Sequence, residues 1–145
     1  MELKPNAHSG FIKEVTITRS RKEIAKNYNA LAAASEIAKL IVSNPTHQEN
    51  AAEVYDLLAK SLNAWERGAS PKATLLKSMY LYCKDEGYPI KEEWRMRLPR
   101  KQRDTVDYIL ATPLDDIEID ESKLDSALDG VRKYMSRHTH LYLEQ

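Results

Sequence analysis

The chain has 145 residues, a formal net charge of zero and a single cysteine, with 42% hydrophobic and 30% charged residues. This composition is that of one folded domain with its own core, and it excludes a disordered chain, a disulfide framework and a cysteine-rich zinc site. Zero net charge gives no whole-chain argument for a polyanionic partner. No apolar run approaches the length of about 18 residues that a membrane span needs, and no signal-peptide pattern opens the chain. We therefore expect a cytoplasmic protein without a membrane partner.

Residues 1–18 are predicted to form a short β-strand or hairpin. Residues 11–18 are rich in β-branched side chains, and the turn-forming cluster of residues 6–10 precedes them. A strand or hairpin alone is marginally stable in water, so this segment should pair with another strand or cover helices. We therefore expect the sequence to be a piece of a larger protein, with a helical domain over residues 19–145.

Two long helices are predicted next. Ser20 and Glu23 have the capping-box spacing, and apolar residues that include Tyr28 recur at helical spacing over 20–43. A second capping-box pattern begins a helix over about 46–67, where a glycine follows. Such helices with short connections are expected to pack as antiparallel neighbours.

The strongest local signals surround a helix predicted over residues 71–86. Ser70 can cap this helix, and Pro71 suits its first position because the missing N–H would have no partner there. Gly87 can adopt the left-handed conformation that ends a helix, and Pro89 blocks its continuation. The apolar side chains on one face are those of Leu75, Leu76, Met79, Tyr82 and Cys83.

The C-terminal third is predicted to hold three more helices. A short one covers 90–97, another runs from about residue 100 to Thr112, and the last is capped by Asp120, after an acidic loop over 114–119. The sequence thus predicts a mainly α fold, a helical bundle of about six helices with a short N-terminal β-strand or hairpin.

No pattern of residues indicates catalysis, a metal or a cofactor. The four histidines lack carboxylate or cysteine neighbours at ligand spacing, and the four isolated glycines form no phosphate-binding loop. Cys83 lies on an apolar helix face, where a small buried side chain is the expected role. We therefore expect a protein that is not an enzyme and carries no metal or cofactor.

Charge is distributed in blocks along the chain. Residues 91–103 hold six basic residues against two acidic ones, and 104–129 hold nine acidic residues against Lys123 alone. Basic clusters can neutralise phosphates, but charge runs can equally be solvated faces or can pair with each other inside the fold. A further basic cluster comprises Arg132, Lys133 and Arg137. The candidate nucleic-acid or partner-binding residues are Arg19, Arg21, Lys22, Lys26, Arg95, Arg97, Arg100 and Arg103.

One segment carries a resemblance to a known family. The Leu-rich run that begins at Leu75 and passes into Gly87-Tyr88-Pro89-Ile90, followed by Trp94, is similar to the C-terminal helical domain of the bacterial recombination mediator RecO. In that family a long helix likewise runs into a Gly-Tyr-x-Pro or Gly-Tyr-Pro segment.

Two further segments resemble the same family. Residues 11–15 running into 19–21 look like the junction between the family's OB barrel and its helices, and the helix carrying 54–62 looks like its next helix. The resemblance covers roughly residues 11–110 and rests on order and spacing. On this resemblance the barrel would be missing except for its final strand, within 1–18. Many members carry a cysteine knuckle just after the Gly-Tyr-x-Pro segment, and no cysteines stand there in this chain, where Trp94 lies, so zinc binding does not carry over.

The resemblance implies a non-enzymatic role in DNA repair and recombination. Proteins of this family bind single- and double-stranded DNA, promote annealing, engage the tail of single-strand binding protein, and work with RecR to load RecA. The helical domain would offer an apolar groove with a basic rim to an acidic, hydrophobic tail. The alternative is a helical protein–protein interaction scaffold that does not involve nucleic acid.

Overall fold

A computed structural model describes residues 27–44 and 51–138 of the chain. The strand or hairpin predicted over 1–18 lies outside these ranges, as do the first four candidate binding residues. Three 3₁₀ turns, Arg95–Arg97, Leu114–Asp116 and Glu121–Leu124, connect the later helices, and the described ranges contain no β-strand. The α-helices of these ranges are α1 (Tyr28–Ser43), α2 (Ala51–Glu66), α3 (Pro71–Asp85), α4 (Ile90–Glu93), α5 (Arg100–Ala111) and α6 (Asp125–His138).

The mainly helical prediction is therefore confirmed for the described residues, which hold six helices. Within them, none of the helices has both the length and the apolar character that crossing a membrane requires.

Helix α3 lies at the centre of the bundle and packs against all five other helices of the described ranges. Its termini follow the sequence prediction. Ser70 Oγ accepts the N–H of Ala73 at 3.2 Å, Pro71 occupies the first helical position, and Gly87 has φ +90° beyond the last turn. All five residues of the predicted apolar face are buried, so the local signals located both the helix and its inward side.

The start of α3 is tied to the turn that precedes α6. Ser70 Oγ donates to one carboxylate oxygen of Glu121 at 2.5 Å, and the Lys72 N–H donates to the other at 3.2 Å. A carboxylate at a helix N-terminus is favourable because it faces the positive end of the helix dipole. Lys72 Nζ also pairs with Asp125 at 2.5 Å, which joins α3 to α6.

Helix α1 begins at Tyr28 within the described residues, and the part of the predicted helix over 20–26 lies outside them. A single continuous helix over 20–43 is not formed, because Asn27 has extended backbone (φ −108°, ψ 108°) and its side chain accepts the N–H of Ala30 at 3.1 Å. This cap satisfies one of the unpaired N–H groups of the first turn. Tyr28, predicted on the apolar face, is 80% exposed, because the buried face of α1 is formed by Ala30, Ala33, Ala34, Ile37, Ala38, Leu40 and Ile41.

Three predictions for the C-terminal third need correction. The predicted helix over 90–97 ends at Glu93, and a separate 3₁₀ turn follows Trp94, whose φ and ψ of −125° and −62° break the helix. The predicted loop over 114–119 contains a 3₁₀ turn and buries Ile117. Asp120 caps the 3₁₀ turn that runs into α6 rather than α6 itself, since its side chain accepts the N–H of Ser122 at 3.0 Å.

A short polar seam is buried between α2 and α3. Ser61 Oγ lies 2.8 Å from the Leu57 carbonyl, Ser78 Oγ lies 2.7 Å from the Thr74 carbonyl, and the two hydroxyl oxygens are 2.5 Å apart. The two hydroxyl groups have only two protons for these three contacts. When one serine donates to the other, it therefore no longer donates to its own carbonyl. Beside them, the Thr74 side-chain oxygen is buried and has no hydrogen-bond partner among the described residues.

Replacing Thr74 with valine is expected to raise the free energy of unfolding by about 1 kcal/mol, since a buried hydroxyl without a partner costs about 1–3 kcal/mol. The two side chains have nearly the same shape, so no cavity forms. Chemical denaturation followed by circular dichroism measures the change. Thr105→Val, at a half-exposed position on α5 where the hydroxyl bonds the Lys101 carbonyl at 3.1 Å, is the matched control and should not stabilise. Equal or lower stability of Thr74→Val would contradict the prediction.

Candidate partner-binding surface

A groove with a volume of about 490 Å³ opens between α3, α4 and the second half of α5. We call it the α3–α5 groove. Its apolar side chains come from all three helices, and charged side chains stand among them. The lining residues are Tyr80, Leu81, Lys84, Ile90, Lys91, Glu92, Arg95, Asp107, Leu110 and Ala111.

Arg95 is fixed in the wall of this groove by an ion pair with Asp107 on α5. The hydrogen bond to Asp107 raises the pKa of Arg95, so the positive charge of Arg95 is stabilised by a pair within the domain. Burial raises the pKa of the neighbouring Tyr80 hydroxyl, which stays neutral at physiological pH. Lys84 and Lys91 are exposed beside them and form no ion pair with a described residue. The groove therefore combines apolar walls with two cations available to a partner.

A second basic surface lies at the N-terminal end of α5. We define the α5 basic surface as Arg97, Arg100 and Lys101, which are all exposed and have no ion-pair partner among the residues described. Pro99 provides no side-chain cap, so N–H groups of the first turn remain available as well. Seven residues of helix, about 10 Å, separate Arg100 from Asp107 in the groove. The basic surface and the groove are thus adjacent along α5.

The structure divides the four candidate residues of this region. Arg97 and Arg100 lie on the α5 basic surface, Arg95 lies in the groove, and half-buried Arg103 directs a guanidinium N–H at the Met96 carbonyl oxygen, 3.4 Å away. Sequence reasoning did not single out Lys84. Its position three residues after Leu81, on the side of α3 opposite the fully buried positions, is the signal that could have found it.

The basic cluster near the C-terminus is also divided. Arg132 makes a two-pronged ion pair with Glu36 of α1, with nitrogen–oxygen distances of 2.7 and 2.8 Å, and it contacts Asp129 at 3.3 Å. Burial opposes the charge of Arg132, but the hydrogen bonds to Glu36 outweigh it and raise its pKa. Arg132 therefore joins α1 to α6, whereas Lys133 and Arg137 have no ion-pair partner in the described ranges.

Two further features of the described ranges concern Cys83 and the side chains that could ligate a metal. Cys83 is buried, and burial raises its pKa to about 12, so its thiol is neutral at physiological pH and a weak nucleophile. Over residues 27–44 and 51–138 no three histidine, cysteine or carboxylate side chains are grouped so that they could hold a metal ion.

Comparison with known proteins adds no relative to this picture. No protein-family model matches the chain, and no curated protein or solved structure is significantly similar to it.

Proposed function

We propose that this chain is a non-enzymatic binding domain of the RecO type, which binds DNA and partner proteins in cytoplasmic DNA repair and recombination. In this role it would contact single- and double-stranded DNA, the tail of single-strand binding protein, and RecR, and would assist strand annealing and the loading of RecA. The proposal rests on the sequence resemblance and on the surface chemistry of the described residues.

The observation that carries the DNA-binding part is the α5 basic surface. Arg97, Arg100 and Lys101 stay exposed and unpaired within five consecutive positions, although the following segment, residues 104–129, is strongly acidic. Where the fold uses a cation of this region internally, as with Arg95 and Asp107, it forms a defined ion pair. Exposed cations next to free helix N–H groups are suited to phosphate oxygens, which accept hydrogen bonds from both.

A specific observation also supports the second candidate, a protein–protein interaction scaffold. The α3–α5 groove lies within the usual size range for a binding site, about 300–1,000 Å³, and joins apolar walls to the cations Lys84 and Lys91. An extended peptide with apolar and acidic residues would match both features. Peptide binding alone is common to both candidates, so DNA binding separates them.

The deciding experiment measures binding of a single-stranded oligonucleotide by fluorescence anisotropy at several salt concentrations. The triple variant Arg97→Gln, Arg100→Gln, Lys101→Gln should bind at least about tenfold more weakly at low salt. Its plot of log affinity against log salt should be less steep by about 2, since each phosphate contact contributes about 0.7.

The control carries the same loss of three charges at exposed cations elsewhere. Its changes are Lys60→Gln and Arg67→Gln, at cations that pair with Asp56 and Asp115, and Lys123→Gln. This control should bind almost as well as the unmodified chain. An equal loss in both triple variants would mean that only total charge matters, and would remove the α5 basic surface from the proposal. Absence of salt-dependent DNA binding, with an acidic apolar peptide still bound, would favour the scaffold.

A further inference from the structure

A smaller groove lies on the other side of α4, where Trp94 meets α6. We call it the α4–α6 groove, and its volume is about 180 Å³. The α6 residues that line it fall at i, i+3, i+4 and i+7, so they share one face of the helix. The lining residues are Glu93, Trp94, Gly130, Lys133, Tyr134 and Arg137.

Hydrogen-bond donors without partners dominate this groove. Trp94 is buried, with 7% of its surface exposed, yet its indole N–H donates to no described residue. The nitrogen lies over Gly130, 2.9 Å from the position that a Cβ there would occupy. The other tryptophan, Trp65, does use its indole N–H, which donates to the Pro71 carbonyl at 3.2 Å. Among the described residues the nitrogen is not one of the fully buried polar atoms that lack a partner, so it reaches the groove, where its N–H can donate to a bound acceptor.

The charges of the groove favour an anion. Lys133 and Arg137 are exposed and have no ion-pair partner in the described ranges, whereas Glu93 is the single acidic side chain in the lining. The Glu93 carboxylate accepts the Tyr134 hydroxyl at 2.7 Å. The lining therefore carries a net charge of +1, from two cations and one carboxylate.

We propose that the α4–α6 groove binds a phosphate oxyanion, with Arg137, Lys133 and the Trp94 indole N–H as donors. Its volume is below the range of about 300–1,000 Å³ typical of whole small-molecule ligands, so it accepts a group rather than a complete ligand. A guanidinium matches phosphate oxygens with paired N–H bonds, and an ammonium adds a point charge. The phosphate comes either from a nucleic-acid backbone or from a free phosphate compound. Neither case depends on the α5 basic surface.

The test uses the full chain labelled with ¹⁵N and follows its two indole N–H signals in NMR spectra during titration with inorganic phosphate at constant ionic strength. The Trp94 signal should shift and saturate. The Trp65 signal should stay in place, because its N–H already donates to a carbonyl, and it serves as an internal control. Trp94→Phe assigns the two signals.

Three variants test the donor set. Arg137→Gln and Lys133→Gln should each weaken phosphate binding by about three- to tenfold, and Glu93→Gln should strengthen it by a similar factor while keeping an acceptor for Tyr134. Lys123→Gln, an exposed cation outside the groove, is the control and should change nothing. If the Trp94 signal does not move, if both indole signals move together, or if Glu93→Gln fails to tighten binding, the proposal is wrong.

A second titration with a short oligothymidylate that lacks terminal phosphates distinguishes the two sources. If the oligothymidylate shifts the Trp94 signal and competes with inorganic phosphate for the groove, the bound group is a nucleic-acid phosphate. If only inorganic phosphate shifts the signal, the ligand is a free phosphate compound. The triple variant of the α5 basic surface keeps the groove intact. Loss of DNA binding in that variant with an unchanged Trp94 response to phosphate would therefore support the groove independently of the proposed function.

Discussion

Replacing Leu76 with alanine is expected to lower the free energy of unfolding by about 2–5 kcal/mol. Leu76 has no exposed surface and stands in the middle of α3, the helix that contacts all five others of the described ranges. The loss has two parts. The removed methyl groups no longer leave water on folding, and the helices packed around α3 can close the resulting cavity only partly. A domain of this size is stable by about 5–15 kcal/mol, so the effect is a large fraction of the total.

Urea denaturation followed by circular dichroism measures this loss. Leu81→Ala is the matched control, because it makes the same chemical change on the same helix at a partly exposed position beside the core, and it should cost clearly less than Leu76→Ala. Leu76→Met keeps the volume and should cost less than about 1.5 kcal/mol, which gives a folded variant if alanine is not tolerated. Equal losses for Leu76→Ala and Leu81→Ala would contradict the expected effect of the difference in burial between the two positions.

The features of the fold that were predictable from sequence are those fixed by neighbouring residues. The termini of α3 follow from Ser70, Pro71 and Gly87 because each acts on backbone groups within four positions of itself. At α1 the sequence offers more than one local capping residue, and the structure shows that Asn27 caps the helix that begins at Tyr28. The apolar pattern over 20–43 placed Tyr28 on the buried face of the helix. In the structure Tyr28 is exposed, and the face that packs in the bundle is formed largely by alanines.

The candidate site was predictable only where its residues lie close together in the sequence. A dense run of basic residues located the α5 basic surface, but the pattern could not tell which cations would pair internally. Arg95, the first residue of the 3₁₀ turn between α4 and α5, pairs with Asp107 of α5, and Arg132 reaches Glu36 across 96 positions of chain. Both pairs depend on how helices pack. The grooves were unpredictable in detail for the same reason, since each is lined by residues from separate helices.

Gly130→Ala is expected to lower the free energy of unfolding by about 1–3 kcal/mol, although the same change inside a helix usually stabilises by about 0.5–1 kcal/mol. Gly130 lies within α6, so helix propensity alone favours alanine. The added Cβ would stand 2.9 Å from Trp94 Nε1, closer than real Cβ atoms come to other groups. The indole must move, and its ring already lies beside that of Tyr80, with the two ring centres 6.4 Å apart.

A double-mutant cycle separates the clash from helix propensity. In a Trp94→Leu background the atom that opposes the Cβ is gone, so Gly130→Ala should become neutral or stabilising by up to about 1 kcal/mol. Urea denaturation of the four proteins gives the coupling free energy, and Ser136→Ala, at an exposed position on α6, reports the effect of alanine without a nearby indole. If Gly130→Ala stabilises the unmodified chain, the indole yields to the Cβ without cost. If it destabilises both backgrounds equally, a group other than Trp94 sets the limit. A cost that disappears with the indole identifies Trp94 as the reason for a glycine inside α6.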